Sequence, residues 1–218
     1  MIARPTEHSV GRFYTSDMRK RSHGRVTDRG ARSRQSILRA AVSVFSRHGY
    51  RGAALSAVAS AAELTQPGLL HYFPSKEHLL MTVLAERDES DTRLVREAWG
   101  TSGRDFLNAL QTLVEHNTTQ RDLVRLFTVL VGEGVSAEHP AHEYFVQRYA
   151  GIKDRMTARI EGSREFGSQV DPNTIATLLL AAMDGLQIQW LLDERTDMPA
   201  AFGALIEMLT AYVTRTAP

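Results

Sequence analysis

A chain of 218 residues, 43% of them hydrophobic and none of them cysteine, can bury a core but excludes disulfide frameworks, thiolate zinc sites and thiol redox sensing, which suits a reducing cytoplasm. The net charge of +1 hides a division: residues 1–80 hold 13 Arg and Lys against 5 Asp and Glu, or +8, while residues 81–218 hold 13 against 20, or −7. The front of the chain is therefore expected to meet a polyanion, unless the basic stretch is only a solvated tail.

Residues 1–28 show no periodicity and read as a flexible basic arm, densest at Arg19-Lys20-Arg21, with Met18 open as an alternative start. The first 25 residues hold six Arg and Lys and no apolar stretch, so no secretory signal is expected. From Arg32, the residues Ile37, Ala40, Ala41, Val44 and Phe45 recur at helical spacing and stop at Gly49. A short second helix carries Leu55, Val58, Ala59 and Ala62, and a third carries Leu69, Leu70 and Phe73. Thr65 is placed to cap the third helix, with Pro67 in its first turn where a missing N–H costs nothing. Pro74-Ser75 ends that helix and Ser75 caps a fourth, whose buried face is Leu79, Leu80, Val83 and Leu84.

Five further helices follow. Gly100 to Gly103 is a break before Phe106, Leu107, Leu110, Leu113 and Val114, and a helix from Arg121 carries Leu123, Val124, Phe127, Leu130 and Val131. After the loop from Ala137 to Pro140 comes a long amphipathic helix with Tyr144, Phe145, Arg148, Tyr149, Ile152 and Met156. Asp171-Pro172 opens the next, which runs through Leu178, Leu179, Met183, Leu186 and Trp190. Its greasy run from Ile175 to Leu192 is broken by Asp184, Gln187 and Gln189, so it reads as a buried helix and not a membrane span. Phe202, Leu205, Ile206, Leu209 and Tyr212 mark the last helix. The expected fold is all-α: nine helices and no sheet, with a basic three-helix head at 29–78 and a helical body at 79–218.

Three short helices carrying the excess charge suit a DNA reader, in which the third helix presents its N-terminal residues to the major groove. Free N–H groups at that N-terminus would point at phosphate or base edges. The string from residue 48 to 80, HGYRGAALSAVASAAELTQPGLLHYFPSKEHLL, and the preceding SILRAAVSVFSRHGY resemble the DNA-binding signature of the TetR family of transcription regulators. That resemblance implies an operator-binding head whose recognition helix begins at Thr65, Gln66, Pro67 and Gly68. It places His71 and Tyr72 near the DNA backbone, and Lys76 and Arg51 as phosphate contacts. Gln66 is the base-reading candidate, since its amide can pair bidentately with adenine. The chain departs from the pattern in three places. Ala53-Ala54 stand where Thr or Ser is usual, so either Ser56 takes over as cap of the second helix or backbone contacts there are weaker. Glu63 stands where the turn usually has Gly, implying a left-handed residue or a reshaped turn, and Leu70 replaces a commonly aromatic position.

The segment DPNTIATLLLAAMDGLQIQWLLDE at 171–194 resembles the first of the two helices through which the family forms homodimers. Leu179, Met183, Trp190, Leu205 and Tyr212 are the interface candidates, with a core within one chain as the alternative for each. The resemblance also implies a small-molecule effector held within helices four to eight. Phe106, Leu110, Phe127, Val131, Tyr149, Met156 and Gln187 are candidate linings, and Asn117 or Glu133 candidate polar contacts, each alternatively plain core. The function so implied is a ligand-released repressor acting as a homodimer on a palindromic operator, with no cofactor and no membrane. His139 and His142 flank Pro140 beside Glu138 and Glu143, but no cysteine or further clustered ligand supports a metal, and capping histidines are common before a long helix. No nucleophile elbow, phosphate-cradling Gly loop or HExxH helix points to an enzyme. A ligand-free architectural DNA binder or a helical interaction module would leave either the apolar body or the concentrated charge without a purpose.

Overall fold

The computed structural model describes residues 28–98, 100, 102–163 and 171–215; residues 1–27, which carry the basic arm, lie outside them. Among the described residues there are nine α-helices and no strand: α1 (Asp28–Gly52), α2 (Leu55–Ala61), α3 (Gln66–Tyr72), α4 (Lys76–Glu97), α5 (Gly103–Thr118), α6 (Arg121–Gly134), α7 (His142–Glu161), α8 (Pro172–Leu192) and α9 (Met198–Arg215). Local chemistry sets many of these boundaries. Ser75 accepts from His78 N–H at the start of α4. Ser102 and Asp105 form a reciprocal capping box on α5. Asp171 accepts from Asn173 and Thr174 N–H and is followed by Pro172 at the head of α8. The stop expected at Gly49 is a kink: Gly49 turns at φ 66° and one more turn continues to Gly52.

Two apolar clusters fill the interior. The first joins Ile37, Ala41 and Phe45 of α1, Val58 and Ala59 of α2, Leu69 of α3 and Leu79, Leu80, Val83 and Leu84 of α4 to Leu126, Phe127 and Leu130 of α6 and Phe145 of α7. The second gathers Phe106, Leu107, Leu110 and Val114 of α5 with Met156 and Ile160 of α7, Ile175, Leu179 and Met183 of α8 and Phe202 of α9. The head therefore has no separate core; α6 completes it, and α1 packs more extensively on α6 than on any other helix.

A polar network ties α4 to α7 and α8. The guanidiniums of Arg87 and Arg148 lie 4.0 and 5.3 Å from the Phe127 ring centroid. Arg87 pairs with Asp91 at 3.1 Å and donates to the Leu123 carbonyl. Asp88 accepts from Arg148 Nε at 2.6 Å and from the Tyr144 hydroxyl, and Asp184 accepts from the Tyr149 hydroxyl at 2.7 Å. Buried guanidiniums are tolerable only when so paired. The helix α8 is long and apolar enough to cross a membrane by length and composition, yet Asp184 and the buried Gln187 at its middle face into the protein. It is not sealed on all sides: Leu178, Ile188 and Leu192 are exposed.

Two stability effects follow. Glu63 sits at φ 57°, where a Cβ crowds the backbone and glycine does not. Glu63→Gly is expected to raise stability by about 0.5–1 kcal/mol, read as a higher urea midpoint at unchanged m-value. Burial raises the Asp184 carboxyl above its ordinary value, with the Tyr149 hydrogen bond, Arg148 and Arg87 opposing. Ionisation therefore disfavours the fold, by nothing below the unfolded pKa and progressively more as pH rises to the folded one. Asp184→Asn, which can still accept from Tyr149, is expected to gain stability over the native chain as pH rises from about 4. Denaturant titrations across pH that give a pH-independent difference would contradict this.

Candidate nucleic-acid interface

The turn between α2 and α3 is built by main-chain bonds at one end and a side chain at the other. Beyond α2, Leu64 N–H reaches back to the Ala59 carbonyl at 2.9 Å and Glu63 N–H to Ser60 at 3.1 Å. This closure requires the left-handed residue that Glu63 supplies in place of glycine. The Thr65 hydroxyl then accepts Gly68 N–H at 3.2 Å and caps α3. Gly68 suits this cap, because a Cβ there would press on the same hydroxyl at 3.2 Å. Ser56 does not take over as cap of α2. The N-cap is Ala54, extended and without a side-chain bond, and Ser56 already lies inside the helix. That leaves the α2 N-terminal donors without a side chain to bond.

Leu69 and Phe73 are buried and anchor α3. Opposite them, Thr65, Gln66, Pro67 and His71 are exposed and Gly68 and Leu70 half-buried, so the candidates at the front of α3 share one outward edge. Tyr72 is half-buried against the core, and its ring meets His71 edge to face at 5.6 Å. Arg51 is exposed on the last turn of α1. The Lys76 ammonium lies 4.6 Å from the Tyr50 ring centroid and donates to the Arg51 carbonyl at 3.4 Å. Burial lowers its pKa, and Glu133 opposes that shift. These contacts bring Lys76 and Arg51 together at the edge of the head. Arg34 stacks on Phe73 at 5.5 Å and pairs with Glu86 at 2.5 Å, a contact between α1 and α4 that periodicity did not reveal. Of the +8 on residues 1–80, +4 belongs to residues 28–80, with 7 Arg and Lys against 3 Asp and Glu; the remainder lies on residues 1–27.

Two expectations for the body change, those for Glu133 and for Leu179 and Met183. Glu133 is no interior ligand contact: its carboxylate accepts Tyr50 N–H at 2.8 Å and faces His139 Nε2 at 3.3 Å. His139 and His142 act on the chain itself, His139 Nδ1 accepting Ala141 N–H and His142 Nδ1 bonding the Gly134 carbonyl. Leu179 and Met183 are sealed in the second cluster, because the inward side of α8 carries them while Leu178, Ile188 and Leu192 point out. Trp190 and Leu205 are half-buried and Tyr212 is exposed. The candidate linings divide: Phe106, Leu110 and Met156 belong to the second cluster, whereas Phe127, Val131 and Tyr149 belong to or pack on the first. Asn117 and Gln187 are buried.

Residues 37–83 match the family model described as bacterial regulatory proteins, tetR family, the stretch that contains α2, α3 and most of the first cluster. The A-factor receptor protein of Streptomyces griseus is 28% identical over 170 residues, covering 73% of this chain but only 55% of that protein. The HTH-type transcriptional regulator YdgC of Bacillus subtilis is 25% identical over 194 residues, covering 86% of this chain and 95% of its own length. The fold matches that of a transcriptional regulator from Saccharomonospora viridis solved in complex with choline, at TM-score 0.68 and 23% identity over 81% of this chain and 96% of that one. With the cap of α3, its exposed edge and the all-helical body in agreement, the chain belongs to the TetR family of DNA-binding transcriptional regulators.

Proposed function

We propose that this regulator is a cytoplasmic, ligand-released repressor that binds a palindromic operator as a homodimer, with residues 29–78 as its reading head and 79–218 as its sensing and dimerising body. The observation that carries the reading is the outward edge of α3, held rigid by Leu69 and Phe73 beneath it. In this arrangement Gln66 reads a base, Thr65, Pro67 and Gly68 bring the backbone of the helix to the groove, and His71, Tyr72, Lys76 and Arg51 hold phosphates on either side.

A single seven-residue helix reads too few bases for specificity, so two heads about one helical turn of DNA apart are needed. Support for a second copy comes from α8 and α9. Leu178, Ile188 and Leu192 on α8 and Met208 and Tyr212 on α9 are exposed, and among the described residues a Cβ at Gly185 would meet open space beyond its own helix backbone. An apolar face with small residues between large ones suits close helix packing. These residues, with Trp190 and Leu205 at the margin, replace Leu179 and Met183 as the interface.

The effector is a small organic molecule taken up between the two clusters, where Phe106, Leu110 and Met156 on one side and Phe127, Val131, Tyr149 and Gln187 on the other would part around it. The choline complex of the Saccharomonospora relative supports small-molecule sensing on this fold. Binding in the body would shift α4, which leads directly into the head, and change the spacing of the two heads. An effector that binds without weakening operator affinity would contradict release.

Footprinting on the DNA upstream of its own coding region is expected to protect two symmetric half-sites. Gln66→Ala should weaken binding by about 1–3 kcal/mol and relax selectivity at one base pair per half-site, whereas a uniform loss across sequences would exclude base reading by Gln66. Ile188→Arg should leave helical content intact and yield a monomer by sedimentation with operator affinity lost. A persisting dimer would remove α8 from the interface.

A further inference from the structure

At the end of α1 the chain makes a corner against the body. Gly49 adopts φ 66° and ψ −179°, a conformation open to glycine and strained for other residues. A Cβ at this position would also collide with Glu133 Oε1. The backbone thus demands glycine, and any side chain here would also have to displace the Glu133 carboxylate. Because the helix bends there, Tyr50 N–H turns to Glu133 Oε2 at 2.8 Å, across 83 residues of sequence.

His139 stands behind the carboxylate, at ion-pair distance and with no hydrogen bond from its Nε2. His139 is buried at 3% exposure, and its Nδ1 accepts Ala141 N–H at 3.2 Å. A neutral imidazole used in this way carries its proton on Nε2, the atom facing Glu133 Oε2 at 3.3 Å. Burial lowers the His139 pKa, with Glu133 opposing, in keeping with a neutral ring. The same ring meets Tyr50 edge to face at 5.3 Å. Tyr50 in turn carries the Lys76 ammonium, which also bonds the Arg51 carbonyl. One continuous set of contacts therefore runs from the α6–α7 connection, through His139 and Glu133, to Tyr50, Arg51 and Lys76.

We propose that Glu133, backed by His139, is a positioning residue for operator binding: its carboxylate fixes the Gly49–Tyr50 corner and so sets where the body holds Arg51 and Lys76. The inference rests on the operator-binding reading above, because the residues it positions are that reading's phosphate contacts. A carboxylate on this edge of a DNA-binding head would otherwise repel phosphate, so its contribution must come through the corner. Motion of the α6 C-terminus or the start of α7 reaches the head here independently of the covalent route through α4.

The test is fluorescence anisotropy of the full chain on labelled duplex from upstream of its own coding region, across a salt series, with circular dichroism confirming the fold. Glu133→Ala is expected to bind about tenfold or more weakly, with a log–log salt slope shallower by roughly one phosphate contact. Glu133→Gln, whose amide oxygen can still accept Tyr50 N–H, should stay within about threefold of the native protein, a rescue that loss of negative charge alone does not explain. A folded Glu133→Ala with native affinity and slope, or a Glu133→Gln as damaged as the alanine variant, would overturn the proposal. Should Glu133→Ala fail to fold, Glu133→Asp decides: it keeps the charge but withdraws the carboxylate, so positioning requires Gln to bind better than Asp, and the reverse order overturns it. A native protein that binds no DNA would overturn the operator reading and this inference with it, whereas native binding with an indifferent Glu133→Ala overturns this inference alone.

Discussion

The helix proposed to read the operator, α3, has seven residues, too few to hold helical structure in water by themselves, so it depends on its packing. Leu69 and Phe73 are locked among side chains of α1 and α4, and those are closed off by Leu126, Phe127 and Leu130 of α6. Head and body share this cluster. A displacement of α6 is consequently felt by α1 and by the base on which α3 stands. Close-packed interiors deform little, so a shift of one helix in such a cluster is expected to move its neighbours with it.

Features settled by residues close in sequence were legible beforehand. The caps at Thr65, Ser75 and Asp171 follow from local backbone chemistry, and the structure has each of them; at Glu63 it takes the left-handed one of the two outcomes the resemblance left open, and at Gly49 a kink stands where a stop was expected. The start of α2 was not legible in this way. Ser56 is a good capping residue, but a cap must lie outside the helix, and the chain enters α2 one residue after Ala54. The rotational setting of α8 was also hidden. That helix is apolar around most of its circumference, so sequence could not tell Leu179 and Met183, which face the core, from Leu178 and Ile188, which face out. Contacts of carboxylates with polar groups distant in sequence had no signal at all: Glu133 with Tyr50 N–H, Asp88 with Arg148 and Asp184 with Tyr149 leave no periodic trace.

The charge division takes on a structural meaning. In the body, Asp91 and Asp88 pair with the buried Arg87 and Arg148 inside the α4–α7–α8 network, while Glu133 lies close enough to Lys76 to act on its charge. In the head, half of the positive excess is on described helices and half precedes them. On the proposed reading, attraction to a polyanion is spread along the front of the chain, and the choice of sequence falls to the few exposed residues of α3. Affinity and specificity separate here as they do in DNA recognition generally.

The most direct measurement is the affinity of the native chain for its own upstream DNA as a function of salt. The account predicts that log K falls linearly with log salt, with a slope equivalent to several phosphate contacts, and that an unrelated duplex of equal length binds more weakly at every salt concentration. Binding that ignores salt, or that cannot distinguish the two duplexes, would contradict it.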